Sequence, residues 1–156
     1  MRSIFRTSNS FVDMVLRLAL AAVFFPHGAQ KALGWFGGHG LAETIWFFTQ
    51  KMGIPFPFAA LVVAAEFLGP IGLLFGILTR VAAFGIFCVM GVAIWMIHYP
   101  VGFFMNWTGQ YPAGTEGYEY HLLALALSFA VAVRGAGMLS LDGVIAKRKG
   151  SRTSLL

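Results

Sequence analysis

Four apolar runs decide what this chain can fold into. They lie at about Phe11–Ala29, Phe58–Leu78, Val81–Ile97 and Tyr120–Leu139. At ~1.5 Å of rise per residue, each is long enough to cross a hydrocarbon core of ~30 Å as a helix. The composition agrees: 58% of the chain is hydrophobic and only 11% is charged, with a mean hydropathy of +0.78. Ordinary soluble domains carry about 25% charged residues. This chain lacks the polar surface to cover a soluble globule. The reading is an all-α integral membrane protein, a four-helix transmembrane bundle forming one domain over residues 1–156. A cleaved signal peptide is the rival reading of the first run. Against it, Asp13 and Arg17 interrupt the run and no clear A-x-A site follows.

The basic residues set the direction. The formal net charge is +5, but Lys and Arg are scattered at segment ends and form no nucleic-acid patch. One side of the membrane would hold Arg2, Arg6, Arg80, Arg134, Lys147, Arg148, Lys149 and Arg152, with Arg17 nearby. The other would hold only Lys31 and Lys51. The positive-inside rule then places both termini and the tight turn at "LTR" on the cytoplasmic side. In the first outer loop, "LAETIWFFTQKMG" predicts a short interfacial helix with Trp46 at headgroup depth. The second outer loop, residues 98–119, is rich in Gly, Pro and aromatics and predicts a folded cap. Cys88 is the one cysteine, so neither an internal disulfide nor a Cys-x-x-Cys pair exists.

Polar residues inside apolar runs are costly and usually face a protein interior or a wet cavity. At about 100° per residue, Asp13, Arg17, Phe24, Gly28 and Lys31 share one stripe of the first helix, with His27 at its margin. Asp13 and Arg17 stand at i, i+4 with the acid first, the favourable order for a pair. In the second helix Glu66 lies about two turns below the outer end. Pro70 frees a backbone carbonyl beside it. Alternating spans bring His27, Lys31, Glu66, His98, Glu119 and His121 to the outer half, and Asp13, Arg17, Arg80 and Arg134 to the inner half. Arg80 and Arg134 read most simply as cytoplasmic anchors. No H-x-x-x-H or similar pair supports a metal site, so none is assigned.

Three stretches carry a resemblance: "RLALAAVFFPHGAQKALGWFGG", "EFLGPIGLLFGILTRVAA" and "EYHLLALALSFAVAVRGAGMLSLD". Together they resemble the DoxX family of small bacterial membrane proteins over about Phe11–Asp142. The resemblance implies a four-helix membrane bundle and a redox association. DoxD relatives form a subunit of an archaeal thiosulfate:quinone oxidoreductase, and mycobacterial DoxX-type proteins are linked to a membrane complex handling oxidative and thiol stress. The motif positions carried over are Arg17, His27, Gly28, Lys31, Glu66, Arg80, Glu119 and Asp142. In "GAGMLSLDG" the glycines can end the fourth helix, and Asp142 can pair or cap just outside it.

Three functions compete. The first is a membrane redox subunit whose outer pocket binds a quinone headgroup through His27, Lys31, Glu66, Glu119 and His121, acting with a partner oxidoreductase or as a homo-oligomer. Asp13, Arg17, Arg80 and Asp142 would form the structural polar stripe. The second is a non-catalytic scaffold in the lipid bilayer. The third is a small-solute or proton pathway with Glu66 as carrier.

Overall fold

The computed structural model describes residues 4–109, 111–112 and 115–153. Arg2 lies outside the described residues, as do the side chains of Lys149 and Arg152. Helix α1 covers Phe11–Leu33, α2 Gly40–Trp46, α3 Phe56–Phe75, α4 Thr79–Ala93, α5 Glu119–Arg134 and α6 Leu141–Thr153. Two helices run on into single π turns, α2 through Phe47–Lys51 and α4 through Ile94–His98. No strand occurs among the described residues.

Local sequence sets these boundaries. The Ser10 hydroxyl accepts from the Asp13 amide at 3.3 Å and caps α1. Gly76 ends α3 at φ 64°, a left-handed conformation that glycine adopts without strain. A side chain there would also strike Ser140, whose Cβ lies 2.5 Å from the ideal Cβ position. Three helices are long and apolar enough to cross a membrane: Phe11–Leu33, Phe56–Phe75 and Thr79–His98. The fourth apolar run behaves differently from its expected course to Leu139. Helix α5 stops at Arg134, and Gly135 takes φ 92°, ψ −160°, which no helix continues. The short helix expected in the first outer loop is α2.

Helix α3 packs between α1 and α4, and α4 between α3 and α5, while α1 touches α5 more lightly. Leu20, Ala21 and Phe24 of α1 meet Leu73 of α3, Ala83, Ile86 and Met90 of α4, and Ala124 and Val131 of α5. In lipid such a core is held by close packing and polar contacts more than by exclusion of water.

One end of this helical body is held by arginines and acids. Arg17 is 1% exposed. Its Nε donates to Ala136 O at 2.8 Å, Nη1 to Leu73 O and to Leu74 O at 2.8 Å, and Nη2 to Met138 O at 3.3 Å and Leu139 O at 3.2 Å. Leu73 and Leu74 belong to the last turn of α3, where carbonyls have no helical partner. Arg80 does the same for α5, donating to Ala132 O at 2.8 Å, Val133 O at 2.6 Å and Arg134 O at 3.3 Å, and also to Arg6 O. Asp142 caps α4 from a distance: its two carboxylate oxygens accept from the Leu78 and Thr79 amides at 2.9 Å each.

Two sequence expectations are corrected here. Arg17 does not pair with Asp13. Its planar fork finds five carbonyls, and Asp13 is bound by Arg134 Nε at 2.5 Å and by the Ser8 hydroxyl. Arg80 and Arg134 are therefore not simple anchors, because both join helices.

Candidate functional site

The opposite end is built differently. It starts from a missing side chain. Pro70 has no N–H to donate to the Glu66 carbonyl, the acceptor one turn back in α3. Helix α1 presses Gly28 against that carbonyl, so closely that a Cβ on Gly28 would lie 1.9 Å from Glu66 O. Only glycine permits this approach. One turn along α1, on the same face, Lys31 reaches Glu66 Oε2 at 2.6 Å. Glu66 is 5% exposed, and the Lys31 side chain is 27% exposed.

Helices α4 and α5 supply the other wall. The π turn ending α4 carries His98, and the first turn of α5 carries Tyr120 and His121. The rings of His98 and His121 lie 3.9 Å apart between centroids, and His98 Nδ1 lies 2.7 Å from the Glu116 carbonyl. Beside them the loop that precedes α5 folds back on itself. The Gly117, Tyr118 and Glu119 amides donate to the carbonyls of Phe104, Gly102 and Phe103.

These groups border a cavity of about 490 Å³. Its walls are largely apolar, with Phe24, Val62, Val89, Met90 and Met96 among them. Its polar lining includes His27, Lys31, Glu66, His98, Tyr120 and His121. The Tyr120 hydroxyl and His121 Nδ1 are buried and have no hydrogen-bond partner among the described residues. Such groups cost stability and call for an explanation, and a ligand is one. Among the described residues no group of three His, Cys, Asp or Glu side chains is placed to hold a metal ion.

Of the five residues expected to bind, the structure brings His27, Lys31, Glu66 and His121 to this cavity. His27 stays exposed at its edge. Glu119 does not line it. Its carboxylate accepts from Trp107 Nε1 at 2.7 Å, in the loop. Tyr120 and His98 were absent from the expected set. Tyr120 had a signal in the sequence, a tyrosine beside a histidine at the start of an apolar run. His98 had only its position at the end of one.

The family model for DoxX matches residues 12–99. The chain belongs to the DoxX family. A Haemophilus influenzae protein described as uncharacterized is 30% identical over 142 residues, which is 86% of this chain and 83% of that relative. No solved structure shows a significant match. The DoxX match takes in α1 through the π turn at His98, and so includes Arg17, His27, Gly28, Lys31, Glu66 and Arg80. The α5 side of the cavity, Tyr120 and His121, and the cap Asp142 lie beyond it.

Proposed function

We propose that this DoxX protein is a subunit of a redox system in the bacterial-type inner membrane, and that its cavity takes the head of a quinone. In this reading the whole chain is one domain. Helix α5 is a fourth, short span, both termini are cytoplasmic, and α2 lies in the outer interface. The observation that carries the reading is a pair of buried groups without hydrogen-bond partners among the described residues, Tyr120 OH and His121 Nδ1, on residues that line an apolar cavity also bordered by the Lys31–Glu66 pair. A flat ring with two carbonyls needs donors at its ends and apolar walls at its faces.

A bound quinone supplies two-electron, two-proton chemistry. The chain's own residues bind, orient and deliver protons. The Tyr120 hydroxyl and the Lys31 ammonium donate to carbonyl oxygens. Glu66 holds Lys31 in place and can carry a proton of its own. His121 takes or gives a proton at Nδ1. His98 stands between His121 and the loop carbonyl of Glu116, on the side where protons would be exchanged. Electrons come from a partner oxidoreductase subunit, since one cysteine makes no dithiol couple.

A scaffold reading has one observation in its favour: Glu66 is already neutralised by Lys31, as a purely structural pair would be. The test is a thermal-shift titration with a tail-less quinone analogue on the wild type and Glu66→Gln. The quinone reading expects a ligand-induced shift in the wild type that falls in the variant. Equal shifts remove Glu66 from the site, and no shift in either favours the scaffold. For the topology, reporters fused at Gly109 and at the C-terminus are expected on opposite sides of the membrane, and the same side for both would refute four spans.

A further inference from the structure

We infer that the ligand of the cavity is a membrane-resident amphiphile that enters sideways, between α3 and α4, and leaves its apolar tail in the groove there. This rests on the reading of the cavity as a headgroup site. A second, larger space of about 1000 Å³ runs along the outside of α3 and α4, from Gly53 and Pro55 at one end to Phe75 and Leu78 at the other. The two spaces are neighbours. Ile54, Val62, Val89, Val92 and Met96 line both. The groove therefore borders the polar cavity and is not an unrelated part of the surface.

Its depth comes from small residues. Ala65 and Gly69 on α3 face Gly85 and Ala82 on α4, and a Cβ on Gly85 would lie 3.2 Å from the Ala65 Cβ. Its rims are large and exposed, with Leu61, Leu68 and Phe84 each about 60% exposed. The lining carries no charged residue. That chemistry suits a hydrocarbon or isoprenoid chain and nothing ionic.

The tail gains little from the groove itself, since lipid is as apolar as the groove wall. The groove acts by geometry. A head seated against Lys31 and Tyr120 must let its tail leave the cavity, and parting of the side chains at the shared wall, Val62 and Val89, gives a way out that keeps the tail in hydrocarbon. Blocking the groove one turn inward therefore excludes long-tailed molecules and leaves tail-less ones unaffected. Ala65 is the blocking position, one turn from Val62 and absent from the cavity lining.

The experiment measures binding of a tail-less quinone analogue and of its long-tailed counterpart in nanodiscs, with ligand expressed per lipid. The proteins are the wild type, Ala65→Phe, Leu68→Trp on the groove rim, and Leu123→Phe on the exposed face of α5 as control. The expected result is unchanged tail-less binding throughout, with long-tailed binding at least roughly tenfold weaker in the groove variants alone. Leu68→Trp decides the matter if Ala65→Phe does not fold. Undiminished long-tailed binding in the groove variants overturns the inference. If the tail-less analogue never binds but the long-tailed one does, and groove variants abolish it, the groove stands and the headgroup reading fails. If neither ligand binds the wild type, both fail.

Discussion

The two ends of this molecule both carry buried polar side chains and use them in opposite ways. At the Arg17 end, the polar groups close helix termini. All five N–H donors of Arg17 meet carbonyls, Asp142 caps α4, and Arg134 binds Asp13; Thr79 Oγ1 is a buried exception without a partner among the described residues. At the Glu66 end, the polar side chains border a cavity, and Tyr120 OH and His121 Nδ1 have no hydrogen-bond partner among the described residues. A polar group that completes a helix end is explained by the fold. One that faces an apolar space unpaired is explained by something that visits the space. Charge inside a membrane helix does not by itself mark a site; the satisfaction of its hydrogen bonds separates brace from site.

The largest effect is expected at Arg17. Arg17→Leu strips the donor from five carbonyls, each costing about 1–3 kcal/mol if left buried and unpaired, so a loss of roughly 3–5 kcal/mol is expected after partial relaxation. Size-exclusion profiles after mild detergent extraction should show little monodisperse protein. A wild-type profile would mean that these contacts do not hold the helices.

Gly28→Ala sits between the two behaviours. Its methyl group lands on the Glu66 carbonyl, and forced separation of α1 and α3 should cost about 1–3 kcal/mol. The same shift draws Lys31 away from Glu66, so analogue binding should weaken along with the melting temperature. Loss of stability with binding intact would uncouple helix contact from site geometry.

Tyr120→Phe gives the smallest effect on stability and sharpens the contrast most. Removing an unpartnered hydroxyl leaves nothing unsatisfied, so stability should stay within ~0.5 kcal/mol of the wild type or rise slightly. Affinity for the quinone analogue should fall roughly tenfold, about 1.4 kcal/mol. Unchanged affinity would show that the hydroxyl is not a ligand donor.

Much of the helix plan was legible from hydropathy, because apolar runs of membrane length have few other uses. The stop at Arg134 was harder to place. "GAGML" is apolar enough to extend a hydropathy window, while its glycines end the helix in space. The Asp13–Arg17 pairing failed for a different reason. The i, i+4 rule describes side chains on a solvated helix face, whereas a buried guanidinium competes for bare carbonyls on neighbouring helices. Glu66 and Lys31 were visible as ions at similar depth, but their contact depends on Gly28 and Pro70 acting together. Glu119 looked equivalent to its neighbours in sequence. At the first position of α5 it faces the loop, and Trp107 takes its carboxylate.

The long-range cap at Asp142 has a consequence for biogenesis. Ribosomes deliver α4 well before residue 142, so α4 enters the membrane with its first amides bare. The same holds for Arg17, made early, whose partners Ala136, Met138 and Leu139 arrive late. The early helices can pack through α1 and α3, with Arg17 on Leu73 and Leu74, but lack these late contacts until the segment after α5 is synthesised. The inner brace is thus completed last, by a stretch that belongs to none of the three longest apolar helices.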